Sequence, residues 1–386
     1  MPYPDLAVGG KARKIYTMKN IPPQSAIVNN HLEDFSKYQT SNFVRFALQR
    51  YIQQLLFSHS IIRKEQCFYK CHRTVWASIF SVMRNPQTYK AYYDAVITCH
   101  NSKCCPVCAP RIMGVRSAEI RTAVHKWLNE DSSNTCYMLT LTFAHSATDK
   151  LNDILILFKN SLQIFWSNGS IKRTFTASGR VGRITATEIK YSRRNGFHPH
   201  QHILIFCKKT SFNIEVLRRS WLSALESSGL TGLSDIALDL IEARSCEKYL
   251  TKISSEMALG HLKDGKGDGK SYSPLQVAWA GLNGEGWADG VFVEYYRAVR
   301  GQHFLCWSRG LKKYFGINDV SDEEISQGAV QPELERFMDI RGDDFKKFDW
   351  QHKAALQNYA ASNNYPAAAA LLDRLGVQFW KEYAEA

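Results

Sequence analysis

Three histidines within five residues offer the clearest chemistry in this sequence. His198, His200 and His202 lie in the segment GFHPHQHILIF, residues 196–206, whose second half is an apolar run typical of a buried strand. Residues two apart in a strand point to the same face, roughly 6–7 Å apart, so one divalent ion could contact the imidazoles of His200 and His202. His198 is the weakest candidate, because Pro199 disturbs the pleat beside it.

A carboxylate is predicted to lie beside these histidines. The alternating segment RITATEIKY, residues 183–191, is joined to the histidine strand by the short turn at residues 193–196, so the two strands should pair as a hairpin. Glu188 is the single acid between residues 154 and 214, where ten lysines and arginines occur. An oxygen ligand beside two imidazoles suits Mg²⁺ or Mn²⁺, and the basic residues would hold a phosphate backbone against the ion.

A second metal site is predicted from the cysteines, six of which occur between residues 67 and 108. Two groups of thiolates separated by a loop can bind a structural Zn²⁺ tetrahedrally, and the favoured set is Cys71, Cys99, Cys105 and Cys108. Cys67 could replace Cys71, and Cys104 could replace either of its neighbours. Buried free thiols are the alternative. We expect His72 and His100 to be solvated rather than coordinated.

A helix after residue 245 carries a possible nucleophile. Ser245 resembles an N-cap, Gly260 closes the helix, and Tyr249, Lys252 and Glu256 share one face. A tyrosine hydroxyl, with an ordinary pKa near 10, is a weak nucleophile unless a cation or metal assists it, and Lys248 or Lys252 could do so. Taken alone, a tyrosine such as Tyr249 is more often a core residue than a nucleophile.

The composition favours an acidic partner. The chain has 49 lysines and arginines against 36 acidic residues, a net charge of +13, which favours nucleic acid over a membrane surface. No run of eighteen apolar residues and no secretory signal pattern occurs, so we expect a cytoplasmic protein that does not associate with membranes.

The periodicities predict an α+β protein with a central antiparallel sheet and helices packed against it. We predict a helix over residues 41–57, a strand over 137–143, and a helical tail from Asp339. The predicted domains are an N-terminal helical segment (1–60), a cysteine-rich zinc module with a linking helix (61–132), the domain that holds the histidines and Tyr249 (133–260), and a basic, aromatic region with a helical C-terminal tail (261–386).

Three motifs, in order, resemble those of the rolling-circle plasmid replication initiators (Rep), a branch of the HUH endonucleases. They are LTLTF (residues 139–143), HPHQH (198–202) and EKYLTK (247–252). An upstream CPxC and the downstream segment EYYRAVRGQHFLCWSRGLKKYFG (294–316) also match that family. The resemblance covers roughly residues 65–316.

The resemblance implies an enzyme that nicks and rejoins one DNA strand at a plasmid origin. Tyr249 corresponds to the nucleophile, which attacks the scissile phosphate, stays joined to the 5′ end and releases a 3′ hydroxyl. His200, His202 and Glu188 correspond to ligands of a divalent metal, with His198 as an auxiliary. Single-stranded origin DNA is the implied substrate, a host helicase and a polymerase are the implied partners, and an oligomer is compatible with the family.

Two positions depart from the family pattern. Gln201 stands where a bulky apolar residue is usual, and Ser245 stands where some relatives carry a glutamate that activates water at termination. Glu247, Glu242, Glu256 or Tyr295 could take that last role. An HUH transposase or a conjugative relaxase shares the same motifs and is an alternative. A non-enzymatic zinc-ribbon DNA-binding regulator is an alternative of another class.

Overall fold

A computed structural model describes residues 30–242, 271–328 and 334–381, and within it two antiparallel sheets carry the fold. The larger sheet has five strands in the order β6-β3-β5-β4-β7. Its strands are β3 (Asn134–Leu141), β4 (Gly182–Ser192), β5 (Gly196–Lys208), β6 (Leu238–Glu242) and β7 (Leu305–Trp307). The predicted α+β class with a central antiparallel sheet is confirmed.

Helices pack against one face of this sheet. Leu139 and Leu141 of β3 and Ile203 and Ile205 of β5 are buried on this face, as period-two alternation requires. Five helices contribute buried residues to this core. They are α4 (Leu151–Ser167), α5 (Gly169–Ala177), α6 (Ile214–Ser227), α7 (Pro274–Leu282) and α8 (Ala288–Val299).

The opposite face is covered over only part of its length. Met138, Leu204 and Phe206 pack there against α3 (Cys108–Glu130), through Ile120, Val124 and neighbouring residues. Towards the start of β5 the same face carries His202, His200 and His198 instead of apolar side chains. The linking helix therefore covers one half of this face, and the histidines occupy the other.

The hairpin β4–β5 sets the register of the histidine strand. Glu188 pairs with His200, Ala186 with His202 and Lys190 with His198, so these side chains share a face. Gly196 ends the turn with φ +76°, and an added Cβ there would lie 2.9 Å from the carbonyl oxygen of Ser146. Only glycine satisfies both the left-handed backbone and this close approach.

The smaller sheet joins distant parts of the chain. Its order is β2-β1-β8-β9, and its core also holds residues of the last two helices. Its strands are β1 (Ile79–Asn85), β2 (Lys90–Tyr93), β8 (Glu335–Arg341) and β9 (Phe379–Trp380), and the helices in its core are α1 (Asn30–Ser58), α11 (Trp350–Ala361) and α12 (Tyr365–Arg374). Three short helices, α2 (Cys67–Lys70), α9 (Leu311–Tyr314) and α10 (Asp322–Gln327), pack in the cores of the larger sheet. The predicted boundaries, which place β1 and β8 in separate domains, remain a prediction.

The predicted helices and strands of the described central region are confirmed within a few residues. The helix predicted over 41–57 is also present, but it begins earlier, at Asn30. The prediction of a helical tail from Asp339 is wrong at its start, because Asp339 and Ile340 are buried in β8 and pair with Ser81 and Phe80 of β1. The tail becomes helical at α11. The predicted helix that holds Tyr249 lies outside the described residues. Among the described residues, no helix is both long and apolar enough to cross a membrane.

Candidate metal sites and their surroundings

Three potential ligand atoms converge on the open half of the larger sheet. Oε2 of Glu188 lies 2.6 Å from Nε2 of His200 and 3.4 Å from Nε2 of His202. The ligand atoms of the three residues all lie within 4.8 Å of one another. The two imidazole nitrogens and the carboxylate are therefore close enough together to bind one divalent ion. Two nitrogens and one oxygen leave coordination positions for a substrate oxygen and water.

The threonines of the LTLTF segment contact the histidines directly. Oγ1 of Thr140 lies 3.1 Å from Nδ1 of His202, and Oγ1 of Thr142 lies 3.4 Å from Nε2 of His198. A hydrogen bond at Nδ1 fixes the orientation of the His202 ring and leaves Nε2 available as a ligand. Sequence reasoning treated these threonines only as the polar positions of a strand. Nδ1 of His200 is buried without a hydrogen-bond partner among the described residues.

His198 does not join the metal-binding group. Its Nδ1 lies 2.7 Å from Nε2 of His145, whose Nδ1 lies 2.9 Å from the carbonyl oxygen of Asn195. Burial, together with the neighbouring His200 and His145, lowers the pKa of His198 to about 4. The ring is therefore neutral at pH 7, and its nitrogens face His145 and Thr142 rather than Glu188. His145 was not singled out from the sequence, because it lies outside the histidine strand.

Glu188 also accepts a salt bridge. Nζ of Lys190 lies 3.1 Å from Oε1 of Glu188, while Oε2 faces the histidines. One carboxylate oxygen is thus held by a cation and the other is directed at the two rings. This pairing fixes the orientation of the carboxylate within a hairpin that already sets its position.

The residues predicted to act with the tyrosine are only partly described. Tyr249, Lys252, Glu247 and Glu256 lie outside the described residues. Glu242 is described, and it is not at the site, because it pairs with Tyr137 in the register of β6 and β3 and so points to the helix-covered face. Tyr295 is buried in the core of that same face, and burial raises its pKa well above its usual value. The Tyr295 hydroxyl is therefore poorly placed to act as a second nucleophile.

The structure also brings together the four favoured cysteines. The sulfur atoms of Cys71 and Cys108 lie 3.5 Å apart, those of Cys71 and Cys105 lie 3.9 Å apart, and those of Cys99 and Cys108 lie 3.9 Å apart. Four thiolates bound tetrahedrally at about 2.3 Å would lie about 3.8 Å from one another. The donor set and its spacing therefore fit a structural zinc ion.

The alternative thiols lie outside this group. Sγ of Cys67 faces the carbonyl oxygen of Thr98, and Cys104 is buried separately, where burial raises its pKa. The prediction that His72 is solvated is wrong. This residue is buried, and its Nδ1 lies 3.3 Å from Sγ of Cys71.

Helix α1 supplies hydrogen bonds to the cluster. Nε2 of Gln49 donates to Sγ of Cys71 at 3.2 Å and to Sγ of Cys105 at 3.3 Å. One turn along the helix, Nε2 of Gln53 donates to the backbone carbonyls of Phe68 and Cys71. A side-chain amide that donates both protons to sulfur favours thiolates, and so favours a metal-bound cluster.

Comparisons with known proteins find similarity over the central segment. A family model described as Replication protein matches residues 91–225. The chain is 24% identical over 295 residues to a Protein rep of Streptomyces lividans, with 57% of this chain and 64% of that protein covered. It is 27% identical over 143 residues to a Protein rep of Staphylococcus aureus, with 36% and 58% covered.

A third relative is a Neomycin resistance protein of Streptomyces cyanogenus, 25% identical over 134 residues, with 28% of this chain and 30% of that protein covered. The chain spans less than two thirds of each of these three relatives. No solved structure matches it. The resemblance to the Rep family that the motifs indicated is confirmed by the family match and by the two Rep relatives.

Proposed function

We propose that this chain, whose central segment is that of a Rep-family replication protein, initiates rolling-circle replication by nicking and rejoining one strand of origin DNA. The observation that carries the proposal is the convergence of Glu188, His200 and His202 on the open half of the sheet. Two imidazoles and one carboxylate within 4.8 Å of one another form the mixed nitrogen and oxygen donor set that suits a divalent ion.

In this proposal the protein's own residues hold and orient the reacting groups. A Mg²⁺ or Mn²⁺ ion bound by Glu188, His200 and His202 would polarise the scissile phosphate and stabilise the charge that develops on it. Thr140 holds the His202 ring in the orientation that leaves its Nε2 towards the site. Lys190 holds the Glu188 carboxylate.

Tyr249 is the proposed nucleophile. Its phenolic oxygen would form a bond to phosphorus while the bond to the 3′ oxygen breaks, and the leaving oxygen would take a proton to become a 3′ hydroxyl. Lys252 is proposed to favour the phenolate. Glu247 is proposed to activate water or a second strand at termination. It is preferred to Glu242 for this role because Glu242 faces the other side of the sheet.

The cysteine cluster is proposed to bind Zn²⁺ as a structural element. Cys108 begins α3, whose apolar side packs directly on the sheet that carries the histidines. An ion at the cluster would fix the start of this helix relative to α1. The proposed partners are single-stranded origin DNA, a host helicase and a polymerase, and the net charge of +13 supports the first of these.

Nicking of single-stranded oligonucleotides that tile the replicon tests this proposal. We expect cleavage of one oligonucleotide in Mg²⁺ or Mn²⁺, and loss of cleavage in His202→Ala. The matched control is His59→Ala at the exposed end of α1, which should cleave like the wild type. Binding without cleavage under every metal condition would instead favour a DNA-binding regulator.

A further inference from the structure

A large cleft opens at the edge of the larger sheet, beside β4 and β7. Its volume is about 1190 Å³, beyond the roughly 300–1,000 Å³ of small-molecule sites. The turn at residues 99–103 of the cysteine region forms one wall, and residues 301–319 form the other. Ala186 and Thr187 of β4 lie in the floor. A cleft of this size suits a polymer rather than a metabolite.

The lining combines positive charge with aromatic rings. Five lysines and arginines line the cleft against two aspartates, namely Lys103, Arg116, Arg309, Lys312 and Lys313 against Asp319 and Asp322. Arg309 and Lys313 are exposed and make no ion pair among the described residues. Phe304 and Trp307 are partly exposed in the same cleft. Cations beside stacking platforms are what a single nucleic-acid strand requires.

The two walls are tied to each other and to the sheet. Nζ of Lys103 donates to the carbonyl oxygen of Gln302 and lies over the ring of Phe304, 5.3 Å from its centroid. The backbone nitrogen of Thr187 donates to the carbonyl oxygen of Phe304 at 2.8 Å. These contacts hold the aromatic wall in place before any ligand arrives, so binding has little ordering cost to offset.

The floor of the cleft lies next to the metal site. Ala186, in its floor, pairs directly with His202 and shares its face of the sheet. Leu305 of the aromatic wall pairs with Ala186 on the other side. A strand lying in the cleft would therefore reach the metal-binding group within the width of one β-strand.

We propose that this cleft holds the single DNA strand beside the scissile phosphate, with phosphates on Arg309 and Lys313 and bases stacked on Phe304 and Trp307. The proposal deepens the proposed function and rests on it for the identity of the strand. It also gives the cysteine module a task in binding DNA, because residues 99–103 form a wall of the cleft.

Binding of a fluorescein-labelled single-stranded oligonucleotide, measured by anisotropy as a function of salt, tests the proposal. The assay uses Tyr249→Phe protein without added Mg²⁺ or Mn²⁺, so that binding is measured without cleavage. The test variant adds Arg309→Ala and Lys313→Ala. The matched control instead adds Lys346→Ala and Arg374→Ala, which remove two exposed cations from the part of the chain around the smaller sheet.

Each phosphate contact contributes about 0.7 to the slope of log binding constant against log salt concentration for a single strand. The cleft variant, which loses two contacts, should therefore show a slope smaller by about 1.4. At 0.1 M salt, relative to a 1 M reference, this corresponds to about 25-fold weaker binding. The control should stay within about twofold of the parent. Equal losses in both variants, or none in the cleft variant, would overturn the proposal. If the wild type never nicks DNA but the cleft variant shows the predicted weaker binding, the nicking function is refuted and the cleft proposal stands.

Discussion

Replacement of Gln49 by leucine should weaken zinc binding to the cysteine cluster about 10- to 100-fold, the usual effect of losing an outer-sphere partner of a metal ligand. The side chain of Gln49 is buried, and its Nε2 donates to the sulfurs of both Cys71 and Cys105. Hydrogen bonds to charged acceptors contribute about 1.5–3 kcal/mol each, so two such bonds are sufficient for an effect of this size.

Gln53→Leu is the matched control for this prediction. It lies one helical turn from Gln49, is equally buried, and donates to backbone carbonyls rather than to sulfur. Both substitutions leave buried acceptors unsatisfied and should lower the free energy of unfolding by similar amounts, about 1–3 kcal/mol. Only the Gln49 substitution should change the zinc affinity beyond what this loss of stability causes.

Competition with a chromophoric zinc chelator at fixed pH measures both dissociation constants. Urea unfolding of the zinc-loaded proteins measures the loss of stability separately. Equal zinc affinities in the two variants would refute the reasoning, because the donated bonds to sulfur would then have no specific effect. Purified wild-type protein that contains no zinc would contradict the site itself.

Two further predictions concern the histidine site and the pH dependence of stability. Thr140→Val should weaken Mn²⁺ binding about 10- to 100-fold, whereas Thr142→Val, which contacts His198 instead, should leave it unchanged. Calorimetric titration with Mn²⁺ distinguishes the two, and equal effects would contradict the assigned roles. Burial, with the neighbouring Arg73 and Arg50, lowers the pKa of Lys353 to about 8. Between this value and the unfolded pKa near 10.5 the unfolded chain binds more protons, so stability rises with pH. In chemical unfolding, Lys353 should raise the free energy of unfolding by about 2 kcal/mol between pH 7.5 and 9.5. This rise should be absent in Lys353→Met. Identical pH profiles would refute the burial argument.

The site could be predicted from the sequence where its geometry is local. His200, His202 and Glu188 lie on one hairpin, so strand alternation and one short turn suffice to bring them together. The favoured cysteines were identified from ligand spacing, although only the folded chain distinguishes Cys71 from Cys67. The same local reasoning made His198 an auxiliary candidate and could not reveal its contact with His145, which comes from a different segment.

Other features depend on contacts between distant segments, which periodicity does not encode. The end of β8, from Asp339, was predicted as helix because its pairing partner, β1, lies more than two hundred residues away. Burial of Tyr295 follows from where α8 packs, and Gln49 contacts sulfur only because α1 lies against the cysteine region. The cleft is formed by residues near 100, near 186 and near 305, which no single motif joins.

Mapping the covalently modified residue tests the central claim most directly. The protein would be incubated with its labelled single-stranded origin oligonucleotide and Mn²⁺, digested with a protease, and the nucleotide-bearing peptide sequenced by mass spectrometry. We predict a 5′-phosphodiester on Tyr249 and no attachment in Tyr249→Phe, with DNA binding retained. Attachment at another residue, or undiminished attachment in the variant, would contradict the account.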